Sequence, residues 1–201
     1  MKSKHASDAQ DRLIVPGLRI GRLKLGETRI QALKLFPPTP GQNEGWKGDC
    51  GATFNWIDGS NEVGKGNVFI RLRSDKVFQI ESATTRFRTS QGVTTYDSPD
   101  KVRRAYKNLK AYVLLGPTVS ALGDRPPIFW VDNKRGIAFE IAYYPAEDRR
   151  YVYKVIVFRA GGDFCPEDNT THSPNWRELT PYSLEPPGKF ADLAFLLAGP
   201  S

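Results

Sequence analysis

Histidine and cysteine are nearly missing from this chain, with two of each in 201 residues. A zinc site gathers about four nitrogen or sulfur ligands at short spacings. Here His5 and His172 fall in polar, tail-like segments, and Cys50 and Cys165 stand far apart. No metal site is expected, and the commonest general acid/base lies outside any core segment. Long apolar runs are absent too. Nothing approaches the ~20 residues of a membrane-spanning helix, and Met1-Lys-Ser-Lys-His is basic without the apolar stretch of a secretory signal. Charge lacks concentration: the formal +7 is scattered, with short doublets at Arg103-Arg104 and Arg149-Arg150. A nucleic-acid module carries a denser basic stripe with interleaved aromatics, so nucleic acid is not the expected partner.

Catalytic signatures are missing as well. The chain has no nucleophile elbow, Rossmann glycine pattern, HExxH or EF-hand loop. Gly21-x-x-x-x-Gly26-Glu-Thr lacks the lysine of a phosphate-binding loop, and Gly64-Lys-Gly66 reads as a hairpin glycine pair. The acid pairs Asp97 with Asp100 and Glu147 with Asp148 sit at a helix start and in a turn, places that favour carboxylates for structural reasons. No catalytic residue and no cofactor is expected.

What is present is a pattern stated twice. Thr28-Arg-Ile-Gln31 forms a capping box, and Ile30, Ala32, Leu33 and Phe36 follow before Pro37-Pro38 ends the helix. Strands are predicted at 52–57, 67–73 and 76–82, with Ser74-Asp75 as a tight hairpin turn. The second copy opens on Ser98-Pro99-Asp100, an N-cap followed by proline at the first helical position. Val102, Ala105, Tyr106 and Leu109 mark its apolar face, and strands follow at 128–131, 136–144 and 150–158. Thr28, Ala32 and Phe36 superpose on Ser98, Val102 and Tyr106 at one spacing. Val68, Ile70 and Leu72 superpose on Ile137, Phe139 and Ile141 at a spacing one residue shorter, so the copies are slipped by one residue before the strand.

The expected architecture is α+β, with two tandem modules, each a short helix followed by an antiparallel sheet, and a Pro-rich C-terminal extension. The boundaries are a disordered start at 1–12, modules at 13–87 and 88–160, and an irregular extension at 161–201 with a short helix at 189–198.

Aromatic and basic surface is the remaining functional signal. Tyr143, Tyr144, Tyr151 and Tyr153 flank one hairpin, and neighbours on a strand cannot all face inward. Together with Trp130, Arg71, Arg73, Arg86 and Arg88 they have the composition of a protein-interface hot spot. A Cys50–Cys165 disulfide would close a long loop, contribute roughly 2–4 kcal/mol and place the chain in an oxidising compartment. Two unrelated thiols are the alternative.

The helix pattern carried by Gly26, Thr28, Ala32 and Phe36, then Ser98, Val102 and Tyr106, resembles a known helix-plus-sheet module. It occurs in tandem in the bacterial β-lactamase inhibitor proteins and once in small outer-membrane lipoproteins of the SmpA/OmlA type. The resemblance covers about residues 18–160 and implies an extracytoplasmic, non-enzymatic binding, inhibitory or assembly role. The expected function is therefore an exported protein-binding module, periplasmic or secreted, using an aromatic and Arg-lined sheet face. A cytoplasmic location stays open, as do two other readings. One is a small-ligand-binding protein or cryptic hydrolase with its site between modules; the other is a basic polyanion binder.

Overall fold

The computed structural model describes residues 11–37, 47–48, 51–57, 66–114, 127–165 and 176–179. It is a mixed α+β fold, mostly antiparallel sheet, with two helices among the described residues. The predicted terminal helix at 189–198, the first residues of the expected disordered start and Cys50 lie outside them.

Three very short strands come first: β1 (Leu13–Val15), β2 (Arg19–Ile20) and β3 (Leu23–Lys24). With β8 (Arg88–Thr89) they form a small sheet ordered β3-β2-β1-β8, in which β1 and β8 run parallel. The large sheet collects β4 (Lys47–Gly48), β5 (Gly51–Ile57), β6 (Asn67–Arg73), β7 (Lys76–Ser82), β9 (Lys110–Leu114), β10 (Ile128–Asp132), β11 (Ile137–Tyr144), β12 (Arg149–Phe158) and β13 (Trp176–Leu179). Its order is β13-β9-β10-β11-β12-β7-β6-β5-β4. One meander thus ends on β7 and the other on β12, and these two strands pair antiparallel through Ser82 with Val155 and Gln79 with Phe158.

The helices are α1 (Arg29–Leu35) and α2 (Pro99–Ala105). Thr28 caps α1 by accepting from the Gln31 amide at 3.4 Å, while the Gln31 side chain accepts from the Thr28 amide at 2.8 Å. Ser98 caps α2 in the same way, accepting from the Lys101 amide at 3.4 Å, with Asp100 on the positive helix end. Helices this short are not stable alone and depend on packing. Each buries one residue, Ala32 or Val102, and ends on a buried aromatic, Phe36 or Tyr106.

Two details of the helices differ from expectation. Ile30 is 65% exposed, because a two-turn helix presents only a narrow stripe to the core. Helix α2 stops at Ala105, and Tyr106 is already extended (φ −128°, ψ 116°), so Leu109 packs from the following segment.

The large sheet has an apolar cluster on each face. Val68, Ile70 and Leu72 join Ile137, Phe139 and Ile141 in the cluster that also holds the helices and the small sheet. The opposite face carries Phe129, Val131, Ala138, Ile156, Phe158, Phe164 and Trp176. The Ser74-Asp75 turn has positive φ at both positions (50° and 60°), the mirror-type geometry that matches strand twist.

Candidate functional site

The face of the large sheet away from the helices carries the unusual chemistry. Alternation along β12 sends Val155 and Val157 to the helix side and Lys154, Ile156 and Phe158 to the other. A register shift interrupts the β11–β12 ladder: Glu140 faces Lys154 and Ile141 faces Val152, leaving Tyr153 as the extra residue. Such a bulge re-aims side chains, and here it brings Tyr153 beside Tyr151, with ring centroids 6.4 Å apart. A second shift, between Arg71 and Leu72 in the β6–β7 ladder, leaves Phe78 as the extra residue, and the Arg73 guanidinium lies 4.6 Å from its ring centroid.

Four charged side chains meet across β6, β7, β12 and β11. Arg71 hydrogen-bonds Glu81 through its Nε. Lys154 Nζ lies 3.6 Å from Glu81 and 3.0 Å from Glu140. Gln79 Nε2 donates to Glu81 at 3.0 Å and to the Cys165 carbonyl at 2.8 Å, and the Cys165 amide donates back to Gln79 Oε1 at 3.1 Å. The Lys154 ammonium also sits 5.1 Å from the Phe69 ring and 5.3 Å from Tyr153. All four charged residues are largely or wholly withdrawn from solvent.

Burial alone would push Glu81 towards its neutral form, but Arg71 and Lys154 outweigh it and hold its carboxyl below the usual value. Burial likewise works against the Lys154 ammonium, yet Glu140 and Glu81 raise it well above the ordinary lysine value. Glu81 and Lys154 therefore stay charged around neutral pH. Glu81 and Lys154 hold charge in place instead of exchanging protons, a bracing role for the sheet.

Beside the quartet lies a ledge of four tyrosines. Tyr96 stacks on Tyr151 with centroids 5.3 Å apart and planes 6° from parallel. Tyr144 meets Tyr151 edge-on at 6.0 Å. Tyr151 is buried, while Tyr96 and Tyr144 are 42% and 43% exposed. Burial raises the Tyr151 and Tyr153 hydroxyls above the usual phenol value, with Tyr96 adding to the first and Lys154 opposing the second. Tyr96 has φ 64°, an uncommon conformation for a residue with a side chain. Its amide donates to the Val152 carbonyl at 2.8 Å and the Val152 amide donates to Asp97 at 2.9 Å, which fixes the loop as a continuation of the sheet.

The predicted tyrosines Tyr144, Tyr151 and Tyr153 thus come together. Tyr143 alternates away from them, and its hydroxyl bonds Asp148. Trp130 is not a surface residue: it is 1% exposed, because every residue of β10 is buried. Arg71 is buried with Glu81. Arg73, Arg86 and Arg88 are exposed but stand elsewhere. Arg73 closes β6, Arg88 belongs to the small sheet, and Arg86 lies over Trp56 and Phe87 at 5.7 and 5.8 Å. Arg86 lines a cleft of about 300 Å³ with Arg22, Lys34, Asp11, Phe36 and Trp56. The sequence reading missed Tyr96, Glu81, Glu140 and Lys154.

No family model, curated protein or solved structure matches this chain. Among the described residues no three His, Cys, Asp or Glu side chains gather as a metal site, and no helix is long and apolar enough to cross a membrane. Cys165 is disulfide-bonded; the other cysteine of the sequence, Cys50, lies outside the described residues.

Proposed function

We propose that the protein is a non-enzymatic binding module that grips a protein partner through the tyrosine ledge. The observation that carries this reading is the pair of half-exposed rings, Tyr96 and Tyr144, set against the buried Tyr151. Tyrosine offers large contact area with only two side-chain torsions to freeze, and it is enriched among residues that dominate binding energy. Here ring contacts with Tyr151 do much of that freezing in advance, and the main-chain Tyr96–Val152 hydrogen bond holds the backbone that carries the Tyr96 ring. A positive-φ tyrosine costs of order 1–3 kcal/mol, and a cost kept at an exposed aromatic supports a functional use for it.

The ledge is tested by affinity capture with wild type and Tyr96→Ala/Tyr144→Ala. The expected result is a single stoichiometric partner, bound at least about 30-fold more weakly by the double variant, with no loss of cooperative unfolding. Equal capture by the two proteins would refute the ledge.

The same proposal includes two tandem modules, α1 with β5–β7 and α2 with β9–β12. Matching caps, matching buried residues and the β7–β12 junction support it, and it is the arrangement expected from the resemblance to tandem-module inhibitor proteins. Export to the periplasm or the cell exterior is supported by the Cys165 disulfide. Unreduced peptide mapping should recover a Cys165 peptide joined to the Cys50 peptide, and reductant should lower stability by roughly 2–4 kcal/mol. Free thiols in protein taken from its native compartment would remove the case for export.

A further inference from the structure

At the end of the large sheet remote from the tyrosines, three chain segments enclose a second cleft of about 330 Å³. Arg73 closes β6, Lys76 opens β7 directly opposite it in the ladder, and Arg159 follows the last residue of β12. The ledge lies at the other end of the ten-residue β12, so the two places are separate and the present inference does not depend on the first.

Three cations line the cleft and one carboxylate, Asp163, joins them. Asp163 has an interaction of its own, and none of Arg73, Lys76 and Arg159 is in an ion pair among the described residues. Like charges held together repel one another unless a counter-charge arrives. Arginine also presents a planar fork suited to two oxygens of one anion. The floor is apolar: Leu25, Val77 and the ring of Phe78, on which the Arg73 guanidinium already rests. Gly26 borders this space, and a Cβ built there would meet nothing within 4 Å, so room is left above the backbone.

We propose that this cleft binds a small organic oxyanion, a phosphate or sulfate monoester carried on a compact apolar group. Arg73, Lys76 and Arg159 would hold the oxyanion, and Phe78 with Leu25 would cover the apolar part. Its size is at the lower end of the range for small-molecule pockets, about 300–1,000 Å³, which fits an aryl or short alkyl group and not a dinucleotide.

Calorimetric titration of the full chain with phenyl phosphate, phenyl sulfate and inorganic phosphate tests this. Saturable binding of at least one ester at about 1 mM or tighter is expected, and at least about tenfold tighter than inorganic phosphate. Arg73→Gln and Arg159→Gln should each weaken it about tenfold; Lys107→Gln, an exposed cation on another segment, should change nothing. All of these side chains are exposed, so the variants should unfold at the wild-type temperature; if one does not, Lys76→Gln takes its place. Tyr96→Ala/Tyr144→Ala should bind the ester as wild type does, which separates this site from the ledge. No saturable heat up to about 10 mM, undiminished binding to Arg73→Gln and Arg159→Gln, or equal affinity for the esters and inorganic phosphate would each overturn the proposal.

Discussion

Lys154→Met is expected to lower stability by about 3–5 kcal/mol, the usual consequence of removing one partner from a buried ionic network. The substitution keeps side-chain length and apolar volume, so little of the loss comes from a cavity. It leaves Glu81 with Arg71 but strips Glu140 of the ammonium 3.0 Å away. In a chain of this size the loss corresponds to roughly 2–4 °C in Tm per kcal/mol, so a fall of about 6–20 °C should appear in thermal unfolding. Adding Glu140→Gln removes the carboxylate that lost this ammonium and should recover about half of the loss or more. A Lys154→Met variant within about 0.5 kcal/mol of wild type, the range of ordinary surface changes, would show that the network braces nothing.

The pH dependence carries a sign that packing alone would not produce. In the wild type, Glu81 lies below its ordinary value of 4.5 in the folded state, so its contribution is present above that value and lost as pH falls through the lowered one. Lys154 lies above its ordinary 10.5, so its contribution is present below that value and lost as pH rises through the raised one. Between these limits the wild type should be flat. In Lys154→Met the buried Glu140 loses the ammonium 3.0 Å from its carboxylate, and taking a neighbouring cation away from a buried carboxylate shifts it towards its protonated form. The variant should therefore gain stability on acidification from neutral, over a range where the wild type does not change. Chemical denaturation at several pH values between neutral and about 5 distinguishes the two slopes.

Much of the local structure was legible because local rules set it. The caps at Thr28 and Ser98 and the bounds of β6 and β7 follow from short-range chemistry and period-2 alternation. Alternation also places Glu81, Glu140 and Lys154 one to a strand on the outward face, a signal that was present in the sequence and not used. Alternation tells which residues share a face; it does not tell what covers that face. For this reason the sequence offers Trp130 and Arg71 as surface residues, and the structure buries them. The bulges at Tyr153 and Phe78 were also illegible, since each depends on the register of a partner strand. Strands of two or three residues, such as β2, β3 and β8, are too short to show a period at all. Tyr96 was missed because its importance comes from β12, to which a loop and not a ladder joins it.

Gly136→Ala should be the second large effect, and it reports on how the two sheets are joined. Gly136 has φ +69°, and its carbonyl accepts from the amides of Gly17 and Phe158, each at 3.1 Å. It thereby ties the turn after β1 in the small sheet, the turn before β11 and the end of β12 at one point. A Cβ at this position would fall 2.2 Å from the Phe158 carbonyl oxygen, 2.8 Å from the Ala160 nitrogen and 2.9 Å from the Gly17 Cα. All three are backbone atoms, so no side-chain rotation relieves the clash. The positive φ costs an alanine about 1–2 kcal/mol and the forced backbone shift about 1–3 kcal/mol more. Gly92→Ala separates these two contributions. Gly92 has φ +76° but nothing within 4 Å of its Cβ position, so it should lose only the first, about 1–2 kcal/mol. The expected result is a Gly136 variant clearly less stable than the Gly92 variant in denaturant unfolding. Because Arg159 adjoins Ala160, the Gly136 variant should also lose phenyl ester binding that the Gly92 variant keeps. Equal losses of stability in the two would mean that the contact among Gly17, Gly136 and Phe158 yields easily, and that the small sheet is held to the large one by its apolar core instead.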